Sequence, residues 1–446
     1  MTDVDDAWSQ ARAPEEVRLA LVMNGGVSLA VWMGGVTHEI DLLHRASLAG
    51  TTGDRSAPRE SEGPGQEVYE LWRQIAAESN RRVVVDIISG TSAGGLNGML
   101  LGTALGRGSA LPPLRAVWEE AASLPALLRD EPKGSLLSGD FFSRRIRDEL
   151  IKIGDGQEGP EQPVTLFLTA TSLGGRTRSF VDEFGSRFEV RDHRRVYRFQ
   201  YDKYAEIYRF QNGRWDFMPD VRHDFAPNNS ESLALAAQAS AGFPVAFPPV
   251  IETKLMKHRH QPDIQFDSVP TCVIDGGVLN NAPFGPVLDA ISQRQVDAVV
   301  RRAVVYVVPS SGETAGTPNG SSAGCDQVSF VSTARSALEF PREVDFRIGT
   351  QDLATQLGNS VRDTQLVLFE RMQKEERERQ PNKQTLGDHV RDAAVRLVDE
   401  YRLSRAAAVL FEVHRTLAEA GETTALVPTQ QADPKVLGAI LGRVQI

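Results

Sequence analysis

Residues 83–88, Val-Val-Val-Asp-Ile-Ile, are apolar and largely β-branched apart from one aspartate, a pattern that predicts a strand covered on both faces. Residues 19–23, 164–171 and 303–308 carry the same signature, and apolar helical segments lie between them, at about 30–43, 67–80, 92–106 and 232–240. Strands alternating with helices predict an α/β fold with a mainly parallel central sheet. Aromatic alternation over residues 196–201 and 207–217, around Asn212-Gly213, predicts a small antiparallel hairpin, and residues 271–274 a short strand. Residues 111–128 suit an amphipathic packing element, with a lipid-touching lid as the alternative. The Gly-, Ser- and Pro-rich residues 45–66 are expected to form an exposed loop.

Composition shifts divide the chain into a polar leader at 1–16, an α/β domain at 17–312, a Ser/Gly-rich linker at 313–325 and a helical module at 326–446. In the last of these Val390, Ala394, Leu397 and Tyr401 recur at spacings of four, three and four.

The net charge of −10 argues against nucleic acid as a partner. Two cysteines, Cys272 and Cys325, make neither a disulfide framework nor a metal set, and the acidic start MTDVDDAWSQ lacks the order of a signal peptide. Residues 19–37 and 87–106 are free of charge, and the second stretch carries Gly94, Gly98, Gly102 and Gly106 on one helical face. A membrane span with glycine-mediated packing is one reading of that face; close approach to the sheet or to a neighbouring helix is the other. Both stretches contain Asn, Ser or Thr among their glycines and divide better into strand, loop and helix. The expectation is a soluble cytoplasmic protein that meets membranes only at their surface.

Candidate chemistry centres on Gly90-Thr91-Ser92-Ala93-Gly94, a G-x-S-x-G turn between a buried strand and a helix. Small flanking residues let the backbone fold beneath the serine, and the N-terminus of the helix aims N–H groups and positive potential at an oxyanion formed there. Gly25-Gly26, after the first strand, could face a phosphate, a dinucleotide pyrophosphate or an oxyanion, or make an ordinary turn. No Gly-Lys-Ser/Thr follows it and its spacing is not G-x-G-x-x-G, so the oxyanion reading fits best beside a serine elbow. None of the eight histidines is well placed as a base, whereas Asp275 ends a strand and precedes Gly276 and Gly277.

In order along the chain, the Gly25-Gly26 turn, the elbow at Ser92, the block ASAGFPVAFPP at 239–249 and the D-G-G loop at Asp275 resemble the bacterial patatin-like lipid acyl hydrolases. The resemblance covers about residues 19–308 and implies a three-layer α/β/α domain. It implies a Ser-Asp dyad without histidine, acting on phospholipids or other acyl-ester lipids and needing neither metal nor cofactor. Ser92 would be the nucleophile, Asp275 the general base, Gly25 and Gly26 the oxyanion donors, and Gly90, Gly94, Gly276 and Gly277 the supporting glycines. Asp275 would then be partly buried, which favours a stronger base than a solvated carboxylate. The family's G-G-G-x-R/K-G loop is altered here, with Asn24, Ser28 and Leu29 at the first glycine, the basic residue and the last glycine. Arg176 or Arg178 could supply the missing charge. A soluble carboxylesterase or thioesterase, and a catalytically weak lipid- or partner-binding protein, are the competing functions.

Overall fold

A computed structural model describes residues 14–26, 30–52, 64–121, 127–128, 135–154, 159–181, 186–202, 206–211, 214–219, 222–244, 246–256, 271–294, 300–308 and 354. The proposed leader, linker and helical module lie outside these, apart from isolated positions. The elements run Glu15–Met23 (β1), Ala30–Thr52 (α1), Pro64–Ser79 (α2), Arg81–Gly90 (β2), Ser92–Arg107 (α3), Leu114–Ala121 (α4) and Gly139–Lys152 (α5). They continue with Val164–Val181 (β3), Arg187–Asp202 (β4), Glu206–Gln211 (β5), Arg214–Pro219 (β6), Arg222–His223 (β7), Ser230–Ser240 (α6) and Val250–Ile251 (β8). Glu252–Met256 (α7), Cys272–Asp275 (β9), Phe284–Gln293 (α8) and Val300–Val307 (β10) complete the described set.

The main sheet is ordered β10-β1-β2-β3-β4-β7, its first four strands mutually parallel, β4 antiparallel to β3 and β7 antiparallel to β4. Short β9 joins the edge of β3, and β8 joins β9. The expected hairpin is β5–β6, a separate two-stranded ribbon. Sequence reading placed a loop over 45–66, but α1 continues to Thr52. Ala46 and Ala49 pack there against Tyr69 of α2, Arg45 pairs with Asp41 at 2.8 Å, and the Arg45 guanidinium lies over the Tyr69 ring. The buried side chains of α4, among them Leu114 and Trp118, make that element part of the core rather than a lid.

Every residue of α3 is buried, which explains a helix apolar on all sides. Its glycine face is pressed against the sheet and Phe225. A methyl group added at Gly98 would lie 2.8 Å from Ile88 of β2, and one at Gly106 2.9 Å from Phe225. Arg107, the last residue of α3, donates to the carbonyls of Phe225, Leu150 and Ile153 and to the Ser230 hydroxyl, so it ties α3 to α5 and α6. Burial lowers its pKa to about 10, which leaves it charged at neutral pH.

The one charge in the β2 run falls at a β-bulge: Leu19 pairs with Val85 and Ala20 with Ile87, so Asp86 is the extra residue. Its buried carboxylate accepts both guanidinium nitrogens of Arg302 from β10 and lies 3.5 Å from Arg18 of β1 and 3.6 Å from Arg294 after α8. One carboxylate thus joins β2 to both strands on its β1 side and to the end of a helix. Removing it leaves three arginines facing one another with too few counter-charges. Asp86→Ala is expected to lower stability by about 3–5 kcal/mol, read as a lower urea midpoint at unchanged slope.

Candidate active site

The parallel register brings three segments to one edge of the sheet. Gly90, the last residue of β2, pairs with Met23 of β1 and Leu168 of β3. The chain then turns sharply. Thr91 donates its N–H to the Met23 carbonyl at 3.2 Å, and Ser92 takes φ 51°, a left-handed conformation. For a residue bearing a side chain that costs about 1–3 kcal/mol and must be held by its surroundings. The flanking glycines make the corner sterically feasible: a methyl at Gly90 would lie 2.7 Å from the Gly94 backbone, and one at Gly94 2.3 Å from the Met23 carbonyl.

β4 occupies one edge of β3, over residues 164–171 and again over 176–181, so β2 and β9 share the other. β2 uses it through Leu168, and β9 then takes it up with Asp275 opposite Ala170. Asp275 therefore comes up two residues along β3 from the point where β2 leaves it. Asp275 is fully buried, and its Oδ1 accepts the Gly277 N–H at 2.6 Å. Gly276 lies so close to β3 that an added methyl would stand 2.1 Å from the Thr169 hydroxyl.

Two features of the site were given no role by the sequence. The first is the end of α6. The Ser240 hydroxyl accepts the Ser92 N–H at 3.1 Å, and two residues on the Gly242 carbonyl accepts the Asp275 N–H at 3.0 Å. A single helix end thus holds the backbones of both residues, which gives the ASAGFP block a structural task. The second is Asn280-Asn281. The Asn280 carbonyl accepts the hydroxyls of Thr91 at 2.9 Å and Thr169 at 3.3 Å, while the buried Asn281 Oδ1 accepts the Gly25 N–H at 3.1 Å. One of the two N–H groups expected to be oxyanion donors is therefore already bonded to a side chain.

Three of the described histidines are engaged elsewhere. His44, on α1, bonds the Val83 carbonyl of β2 through Nδ1 at 2.9 Å, and burial lowers its pKa. His193 bonds the Ser172 carbonyl at 2.7 Å, and His223 faces Glu161 at 3.6 Å. The side chains of Arg176 and Arg178 lie outside the described residues. Among the described residues no cluster of His, Cys, Asp or Glu could hold a metal ion, and no helix is long and apolar enough to cross a membrane.

A parallel sheet with a left-handed serine at a strand-to-helix corner, a buried aspartate on the neighbouring strand edge and a glycine turn alongside is the framework of a serine acyl hydrolase. The particular kind follows from comparison: the patatin-like phospholipase profile matches residues 21–288, and the chain belongs to that family, one of lipid acyl hydrolases. It is also 35% identical over 324 residues to an uncharacterized membrane protein of Mycobacterium tuberculosis. That match covers 67% of this chain but only 28% of the relative. No solved structure matches the chain.

Gly25 has no room for a side chain. A methyl there would stand 2.7 Å from Asn281 Oδ1, 2.8 Å from Ser92 Cβ and 2.9 Å from the Thr91 carbonyl. Gly25→Ala is expected to reduce ester hydrolysis by at least about 10²-fold, since small displacements of reacting groups cost that much. Hydrolysis of a soluble p-nitrophenyl ester checks it.

Proposed function

We propose that the protein releases fatty acid from phospholipids or related acyl-ester lipids through a Ser92–Asp275 dyad and an acyl-enzyme. The observation that carries this reading is the shared edge of β3, where Asp275 pairs opposite Ala170, two residues beyond the Leu168 that pairs with Gly90 before Ser92. Asp275 accepts the Ser92 hydroxyl proton as Oγ attacks the ester carbonyl, and the resulting oxyanion faces the Gly25–Gly26 turn and the N-terminus of α3. Collapse expels the alcohol, which takes the proton back from Asp275 and leaves the acyl group on Ser92. Water, deprotonated by Asp275, then attacks the acyl group, and Asp275 returns the proton to the departing Ser92 Oγ as the fatty acid is released.

Apolar surface near the turn and loop supports a lipid substrate delivered from a membrane surface. Val31 and Trp32, at the start of α1 after the glycine turn, are each 47% exposed, and Leu279, in the loop after Asp275, is 39% exposed. Tryptophan favours the boundary between lipid and water. The specific reading is a phospholipase A or lysophospholipase.

Fatty-acid release from mixed phospholipid vesicles, resolved by mass spectrometry, tests the reading. Ser92→Ala and Asp275→Asn are each expected to fall by about 10³-fold or more, because nucleophile and base act as a unit. Full activity in Asp275→Asn would remove Asp275 from the mechanism. Hydrolysis of soluble esters with no gain at a vesicle surface would instead favour a carboxylesterase.

A further inference from the structure

The loop that carries Asp275 also reaches the glycine turn. Six residues after Asp275, Asn281 accepts the Gly25 N–H, and Gly25 packs so closely that a methyl group would clash with both the Asn281 amide and Ser92 Cβ. Asn281 is itself held firmly. It is 4% exposed, and its neighbour Asn280 donates its N–H to the Gly276 carbonyl at 2.8 Å and accepts the hydroxyls of Thr91 and Thr169. The turn is thus anchored to the end of β2, to β3 and to the aspartate loop through one side-chain amide.

We propose that Asn281 is a positioning residue for the oxyanion turn: its Oδ1 takes the Gly25 N–H and sets the turn against Ser92, so that the Gly26 N–H is the group offered to the oxyanion. This rests on the hydrolase reading above and deepens it. An N–H bonded to Oδ1 at 3.1 Å is not available as a full-strength donor to a second oxygen. The role of Gly25 is then close approach, and that of Gly26 hydrogen bonding. The amide is also the fitting acceptor chemically. It holds the N–H without charge, whereas a carboxylate in its place would set a negative charge beside the developing oxyanion and beside Asp275. One loop then fixes both the base and the oxyanion turn.

The full-length chain is compared with Asn281→Leu, which removes the acceptor at similar volume, and Asn281→Asp, which keeps the acceptor and adds charge. Three readouts are taken: kcat and KM on a soluble ester, the rate of Ser92 labelling by a fluorophosphonate, and inhibition by an ether-lipid analogue that forms no oxyanion. Both variants are expected to lose about 10²-fold in kcat and in labelling rate, with KM and ether-lipid inhibition within about twofold of wild type. A residue that merely supports the fold would weaken ether-lipid binding along with the rest. Unchanged or raised kcat in either variant overturns the proposal, a rise marking Asn281 as an inhibitory plug. If Asn281→Leu does not fold, the near-isosteric Asn281→Asp is judged by the same criteria. A wild type that neither hydrolyses esters nor labels at Ser92 overturns the hydrolase reading and this inference together. An active wild type with undiminished variants overturns the inference alone.

Discussion

A β-strand has two hydrogen-bonding edges, and β3 has one of them occupied twice in succession. β2 pairs along it up to Leu168, and antiparallel β9 takes over at Ala170. Because β2 must leave the sheet there, its chain turns at Gly90 and Ser92 is lifted into a left-handed corner. Because β9 arrives there, Asp275 ends within the gap that β2 has left. Thr169 lies between the two junctions, its hydroxyl 2.6 Å from that of Thr91 and packed against Gly276. The handover between two strands thus locates both Ser92 and Asp275 without either being on a long loop.

What keeps the handover rigid is a set of bonds from side chains to backbone. Each such bond contributes only about 1 kcal/mol net, while a buried group left without a partner costs more. Ser240 and Asn281 answer N–H groups that the sheet cannot pair, one at Ser92 and one at the glycine turn. Arg107 fastens the other end of α3 to α6 through Ser230 and the Phe225 carbonyl. The helix that begins at Ser92 and the helix supporting it are therefore joined near both their ends.

The strands and the elbow were legible because each has a local cause: continuous β-branched runs, a glycine-flanked serine, an aspartate between a strand and two glycines. The glycine face of α3 was legible too, since glycine at every fourth position demands a close neighbour. Other features follow from partners distant in sequence. α1 continues through Thr52 because Ala46 and Ala49 meet Tyr69 of another helix. β3 continues to Val181 through a polar, glycine-containing stretch because β4 pairs with it there, which composition alone does not announce. Asp86 looked like a flaw in an apolar strand until the bulge and its arginines accounted for it. Asn281 meets Gly25 across 256 residues, and no periodicity marks such a pair.

The pairing of β1 with β10 has a consequence for synthesis. The first described strand and the last lie side by side, residues 16–23 against 300–307. At about 5–20 residues per second, β10 leaves the ribosome roughly 14–57 s after β1. Until then β1 has one open, apolar edge, and Asp86 waits for Arg302. The domain can collapse early, but its sheet closes only once β10 has been made. During that interval the nascent chain is exposed to strand-to-strand association with its neighbours.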